Sequence, residues 1–451
     1  MSAELSTVAQ RAVEAALAAG AGAAEAYASR ESGREVRVHG GEVESLSAAT
    51  QTGVGVRAWN GRRVGYAYGT DLNEAGVGEI AARAAAAAEV ADEDEFAAPP
   101  APAEIEAIGG LSDPGLASAS AEQVAELALA VERTALAADS RIAGVEQAVY
   151  ADSADRVAIA SSAGVAGEFE TSTCFAYLQA LAEGDGARET GLGFGLGRGP
   201  GDLDPEAIGA EGAERALSMI GAVKPQSRAC PVVLDPTVAA SFAGLIGGGL
   251  GAGAVQRGRS PFAERLGEEL ASAAFVLHDD GRDPAGANSA PFDGEGVPRR
   301  RTALVEGGRL RAFLYDSYTA NRGNAASTGS AARSGYRSLP SVAASNLVVA
   351  PGDLNLDGLL AEAGEGVYVT DVAGLHSGVN PVTGVFSVGA SGRAIRAGAL
   401  AEPQREFTIA GDLVSLLGAV RAAGSEPRWV PFGGSVSTPP LLIAEMAISG
   451  S

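Results

Sequence analysis

Three histidines, His39, His278 and His376, and two cysteines, Cys174 and Cys230, are the only imidazoles and thiols in the chain. Zinc hydrolysis on a helix needs two imidazoles within about one turn of each other beside a carboxylate base. The closest pair here, His278 and His376, is far too widely spaced for an HExxH or HExxxH helix. The two cysteines have no metal spacing and are too few for a disulfide framework, so they read as buried thiols in a reducing compartment. No G-x-S-x-G elbow is present, and the glycine clusters at 191–201 and 247–253 satisfy neither G-x-G-x-x-G nor the P-loop pattern. Those glycines read as turns and close packing.

Two loops carry polar groups that invite chemistry. The stretch from His278 to Asp283, together with Asp293 and Glu295, concentrates carboxylates but lacks the alternation of a calcium loop. It reads as an acidic surface turn. His376-Ser377-Gly378-Val379-Asn380-Pro381 has the look of a ligand-lining loop, since Asn-Pro fixes a turn and glycine exposes backbone groups. It offers a lone His and Ser without an evident acid for a charge relay.

The elements that must position these residues follow from periodicity. Leu5 to about Ala19 is apolar at helical spacing, with Ser6 or Thr7 as a cap. Residues 34–70 alternate with period two around Gly40-Gly41 and Asn60-Gly61, which predicts an antiparallel meander. Helices are expected over 73–90, 118–138 and 205–219, a polar loop over 92–102, and strands over 141–197. Gly191, Gly193, Gly195 and Gly197 recur at period two and leave one face of a strand bare for close packing. Beyond the linker Gly221 to Pro225 come a buried strand at 230–234, a helix at 236–246, and many short strands, among them 273–278, 302–306, 310–316, 346–350, 366–371, 384–389, 393–397, 405–408 and 440–449, with a helix at 411–421. The fold class expected is α+β, with an N-terminal domain (1–224) of antiparallel sheet and helices and a C-terminal domain (225–451) that is a curved, antiparallel, β-barrel-like sheet with few helices.

Composition excludes several classes of function. The 451 residues are 46% apolar and 20% charged, as in an ordinary globular protein, and exceed what a single core holds. Glycine, at 62 residues, is about twice its usual share. A net charge of −23, with Lys224 the only lysine, argues against nucleic acid and against an anionic membrane surface as partners. The start of the chain lacks a secretory pattern and no long apolar run occurs, so a cytoplasmic location is expected.

Several ordered stretches in the second half resemble the TldD/PmbA family. They are Gln256-Arg257-Gly258-Arg259-Ser260-Pro261-Phe262 with Leu266-Gly267-Glu268, then Pro291 to Pro298, Arg309 to Tyr318, Ser327-Thr328-Gly329-Ser330, Gly378 to Gly384 with Phe386 to Gly392, Thr408 to Leu413, and Pro439 to Ile443. The meander at 34–70 resembles the family's first domain more loosely. In that family the TldD kind carries His-Glu-x-x-x-His before the Arg-Gly-x-Ser segment, and this is its zinc site. Counting back from Arg257-Gly258, the matching positions are Ala243, Gly244 and Gly248, so the resemblance implies the PmbA/TldE kind, with no catalytic residue, no metal and no cofactor in this chain.

The resemblance further implies a heterodimer with a TldD-like zinc peptidase subunit, in which this chain completes the chamber for unfolded or extended peptides, such as peptide-antibiotic precursors and antitoxin-like proteins. The name "modulator of DNA gyrase" is also attached to the family. Candidates for peptide contact or interface are His376, Ser377, Asn380, Thr383, Phe386, Ser387, Gly389 and Ser391, because a strand edge in a Gly-rich barrel can add an extended peptide. An independent hydrolase with an unrecognised site, or a homodimeric peptide-binding protein, remain the competing expectations.

Overall fold

The computed structural model describes residues 4–184, 186–432 and 434–451. In its first half, α1 (Leu5–Ala18), β1 (Ala23–His39), β2 (Glu42–Asn60), β3 (Arg63–Gly69) and α2 (Glu74–Val90) are followed by α3 (Pro114–Ser118), α4 (Ala121–Ala138), β4 (Ile142–Ser161), β5 (Ala166–Gly184), β6 (Ala187–Gly197) and α5 (Pro205–Leu217). The strands form one antiparallel sheet in the order β3-β2-β1-β4-β5-β6.

Alternation assigns the two faces of this sheet. Ala24, Ala26 and Ala28 of β1, with Val54, Val56 and Ala58 of β2, pack under α1 and α2. Val36 and Val38, on the same face further along β1, pack under α4 and α5. The small alanines bring helix and sheet close. Glu25, Tyr27 and Ser29 therefore point the other way, toward the second half of the chain.

The turns are set by glycine. Gly40 and Gly41 both have positive φ, and their amides each donate to the Glu132 carboxylate at 2.8 Å. At the next hairpin Asn60 pairs with Arg63, and only Gly61 has positive φ. The turn thus sits one residue later than an Asn-Gly turn would. Ser120 caps α4 in a reciprocal box with Gln123, which splits the expected 118–138 helix from the short α3. On β6, a Cβ at Gly193 would lie 2.0 Å from the Ile208 carbonyl of α5, so the bare face serves backbone-to-backbone packing, as its spacing predicts.

The second half contains β7 (Arg228–Leu234), α6 (Pro236–Gly249), α7 (Ala252–Gln256), β8 (Leu277–Asp280), β9 (Arg301–Glu306), β10 (Arg309–Leu310), α8 (Ser317–Gly323), β11 (Ala331–Ala332), β12 (Ser341–Val342), β13 (Asn346–Val349) and α9 (Leu356–Ala363). It continues with β14 (Gly366–Ala373), α10 (Leu375–Gly378), β15 (Val385–Arg396), β16 (Ala399–Asp412), α11 (Leu413–Ala419), β17 (Val420–Ala423), β18 (Arg428–Val430), β19 (Ser435–Thr438) and β20 (Leu441–Ser449). The strand expected at 310–316 ends after Leu310, and the expected strands 384–389 and 393–397 are one strand, β15.

Strands β16, β15, β14, β7 and β20 run side by side, and β20 pairs back onto β16 through Ile448 and Ile409. This closes a barrel-like sheet, antiparallel except where β7 and β14 run parallel. Val232 and Leu234 of β7 point into the main core with Phe242, Ile246 and Phe386, while Val233 faces α9. A second sheet, β10-β9-β8-β13-β19-β18, lies beside it. Among the described residues no helix is long and apolar enough to cross a membrane.

Candidate functional site

Asp235 starts α6, accepting from the Thr237 amide at 2.9 Å, and is itself held by the Tyr368 hydroxyl at 2.7 Å and by Arg215 at 3.2 Å. These bonds fix the helix on which Ala243, Gly244 and Gly248 lie. Ala243 is 2% exposed and packs into the core beside Phe275 and Leu416. Gly244 is half-buried, and Gly248 is exposed. Five helical steps turn the chain by about 500°, leaving positions 243 and 248 about 140° apart around the axis. Only Gly248 reaches a cleft, and a Cβ there would meet nothing. The donor set of a zinc site is absent from these positions, and the first of them is closed into the core.

That cleft, of about 660 Å³, separates the first sheet from α6, α7 and α8. Its walls carry Arg57, Trp59, Gln256, Arg257, Glu295, Asp316, Tyr318 and Arg322, and the segment from Asp92 to Ala98 runs along its edge. Asn321 donates to the Phe96 carbonyl at 3.0 Å, and the Phe96 ring stands edge-on to Tyr318. The polar loop at 92–102 is thus attached to the second half.

A buried ionic cluster underlies the cleft. Arg57 donates to Glu25 at 2.8 Å and to Glu295 at 2.9 Å, stacks over Trp59 at 4.7 Å, and leaves its Nε buried without a partner. Glu25 also accepts from Arg333, and Glu295 from the Ser317 amide. Burial pulls the Arg57 pKa down, but the Glu25 and Glu295 charges more than offset it and leave it raised. Burial pushes Glu295 up, and Arg57 outweighs it, so Glu295 stays ionised. Asp293 is raised by burial and by the charge of Glu295.

The acidic stretches are therefore not a surface turn. Asp279, Asp293 and Glu295 are 1 to 2% exposed and His278 is 8% exposed. Asp279 accepts from the amides of Ser345 and Asn346 and from the Ser345 hydroxyl, and Asp293 from the amides of Glu295, Val297 and Ala331. They act as internal acceptors that hold loops together. Among the described residues no cluster of three or more His, Cys, Asp or Glu side chains is placed to hold a metal ion. Cys174 and Cys230 are buried and unpaired.

The candidates in and after the His376 loop are scattered. His376, Ser377, Asn380, Thr383 and Ser387 are exposed. Ser377 hydrogen-bonds locally to the Gly374 carbonyl, and Asn380 accepts from the amides of Val382 and Thr383, which is the chemistry of a turn. Phe386 is 1% exposed and packs on Phe242 with ring centroids 5.0 Å apart, so it offers a peptide no side-chain surface. Nor is its strand a free edge. Strand β15 is paired with β16 on one side, and on the other with β14 through Gly389 and Ser391 and with Val379 through Phe386. Of these eight residues Ser391 alone lines a large cavity, of about 670 Å³, with Asp235, Asp371 and Arg393.

Comparison with known proteins settles the relationship. A family model described as PmbA/TldA metallopeptidase domain 1 matches residues 24–88, the central domain matches 114–220, and the C-terminal domain matches 227–450. The chain belongs to the PmbA/TldD family. Within this metallopeptidase family it is 27% identical to "Metalloprotease PmbA" of Escherichia coli O157:H7, over 95% of this chain and 92% of that one. It is 28% identical to a "Metalloprotease PmbA homolog" of Haemophilus influenzae, over 99% and 96%. Among solved structures, a candidate modulator of a DNA gyrase from Thermotoga maritima superposes with a TM-score of 0.90 at 24% identity, covering 99% of this chain and all of the other. TldE from Thermococcus kodakarensis gives 0.88 at 23%, covering 98% and 100%. These last two show a shared fold.

The Arg57 cluster escaped the sequence reading. A signal existed: Arg57 and Trp59 interrupt an otherwise small and apolar stretch at period two, on the face opposite Val54, Val56 and Ala58.

Proposed function

We propose that this chain is the non-catalytic partner subunit of a heterodimeric zinc metallopeptidase acting on unfolded or extended peptides. The observation that carries the reading is the chemistry of α6. Methyl groups and hydrogens at Ala243, Gly244 and Gly248 supply no lone pair to a cation and no base to activate water. Zinc then resides in a TldD-like subunit bearing His-Glu-x-x-x-His, and this chain completes the chamber and helps hold the substrate. A net charge of −23 makes direct contact with DNA unfavourable, so any influence on gyrase would pass through proteolysis of a regulator.

The test is co-purification with a TldD-like chain, metal analysis, and cleavage of an unstructured peptide by each chain and by the pair. The reading expects zinc and cleavage only where the TldD-like chain is present, with the pair more active than that chain alone. Cleavage by this chain alone, lost on His376→Ala, would instead establish an independent hydrolase.

A further inference from the structure

Strand β2 is flanked on both sides where β3 lies against it, from Val54 to Asn60. From Glu42 to Thr52 it pairs, among the described residues, with β1 alone, and Glu42 to Gln51 are all exposed. The register gives the bonding direction of this edge. Ala23 stands opposite Trp59, and the Trp59 carbonyl accepts from the Gly22 amide at 2.8 Å, so it points toward β1. The Ala24 carbonyl accepts from the Ser162 amide, on the β4 side of β1. Peptide direction alternates along a strand, and the register is unbroken from Trp59 to Ser45. Leu46, Ala48, Thr50 and Thr52 therefore turn their amides and carbonyls outward, past the end of β3.

Open edges of this length are ordinarily blunted by lysine, proline, a bulge or an inward-pointing charge. Here no ionisable side chain and no proline occurs from Ser45 to Val56, in a chain of net charge −23. The one register shift against β1, at Arg37/Val38, lies beside the turn. The open window is bounded at one end by the Gly40-Gly41 turn and at the other by β3, whose Gly69 stands opposite Val54. Its midpoint is Ser47. Turned about that residue, the window fits its own copy in antiparallel sense over its whole length, and the copy's turn stops where β3 lies. Glu42 and Glu44 then meet Thr52 and Thr50, whereas a parallel copy would set each glutamate against itself. Leu46, 46% exposed, comes opposite Ala48 of the copy and diagonal to the other Leu46.

We propose that this chain binds a second copy of itself through β2, edge to edge about a two-fold axis at Ser47, so that the two six-stranded sheets become one continuous sheet. Leu46 and Ala48 of one chain exchange backbone hydrogen bonds with Ala48 and Leu46 of the other. This interface is independent of the reading of α6, since a second copy of the chain, and not the zinc subunit, occupies the edge.

Ala48→Pro separates the two roles of the strand, because it removes an outward amide that β1 does not use. Sedimentation equilibrium of the full chain should show a monomer–dimer equilibrium, and Ala48→Pro should weaken the dimer about tenfold while keeping the circular dichroism of the parent. Ser47→Cys, at the axis, should give a disulfide-linked dimer on mild oxidation. Ala49→Cys, about 14 Å from its counterpart, should not, and the native Cys174 and Cys230 are buried. Should Ala48→Pro fail to fold, the two cysteine variants decide. A chain that stays monomeric at tens of micromolar, a dimer indifferent to Ala48→Pro, or equal cross-linking of the two cysteine variants overturns the proposal. Loss of pairing with a TldD-like chain on Ala48→Pro, the lone parent chain being monomeric, would overturn it too and assign the edge to that subunit.

Discussion

Glu25 on β1 and Arg57 on β2 stand directly opposite each other in the sheet register and form an ion pair at 2.8 Å, on the face turned away from the four packing helices. Glu295, from the other half of the chain, joins the same guanidinium group at 2.9 Å. A cross-strand pair inside one sheet thereby becomes a bond between the two halves.

Removing one member of that cluster leaves an uncompensated buried charge. Glu295→Ala is expected to destabilise the protein by about 3–5 kcal/mol, read as a lower denaturant midpoint. An exposed pair such as Arg133 with Glu126 provides the contrast, and Glu126→Ala should cost about 1 kcal/mol or less.

Restoring the motif at α6 will not restore a zinc site. The triple change Ala243→His, Gly244→Glu and Gly248→His places its first imidazole in the core rather than in the cleft. Overpacking there should cost about 1–3 kcal/mol, and elemental analysis should find no stoichiometric zinc. Tight binding of one equivalent would show that α6 can rewind.

Asp279 gives a pH dependence of definite sign. Burial pushes it up to about 6, against the hydrogen bonds from Ser345 and Asn346. Its folded pKa therefore lies above the unfolded value of about 3.9. Between those limits the folded chain binds more protons than the unfolded one, so this residue's contribution to stability falls as pH rises through the window and is level above about 6. Asp279→Asn keeps an Oδ1 acceptor and removes the titration. Unfolding free energies measured across that range should show the variant gaining on the parent as pH rises.

Two glycines should respond oppositely to alanine. At Gly193 the new methyl would sit 2.0 Å from the Ile208 carbonyl, forcing α5 off the sheet at a cost of about 3 kcal/mol. At Gly78, inside α2, nothing lies within 4 Å of the new Cβ, and helix propensity should raise stability by up to about 1 kcal/mol. Thermal melts of the two variants check both signs.

Much of the architecture was legible because period two and period 3.6 are written directly in apolar spacing. The glycine ladder at 191–197 announced its own packing, and the second half showed enough ordered motifs to disclose the family. The polar residues misled. Asp279, Asp293 and Glu295 read as surface because carboxylates usually are, and only the backbone amides brought to them from remote loops explain their burial. Phe386 read as part of a reachable strand because sequence does not say that both edges of β15 are taken. Arg57 was passed over because the alternation that revealed Val54, Val56 and Ala58 drew attention to one face, while its partners Glu25 and Glu295 lie 32 and 238 positions away.

The weld between β20 and β16, together with the pairing of β20 to β7, has a consequence for biosynthesis. The first strand of the barrel is made some two hundred residues before the strand that lies against it, so the ring cannot shut on the ribosome until residue 449 has emerged. The earlier sheet, whose last strand ends at Gly197, can be complete by then and serve as the solid floor on which the barrel assembles.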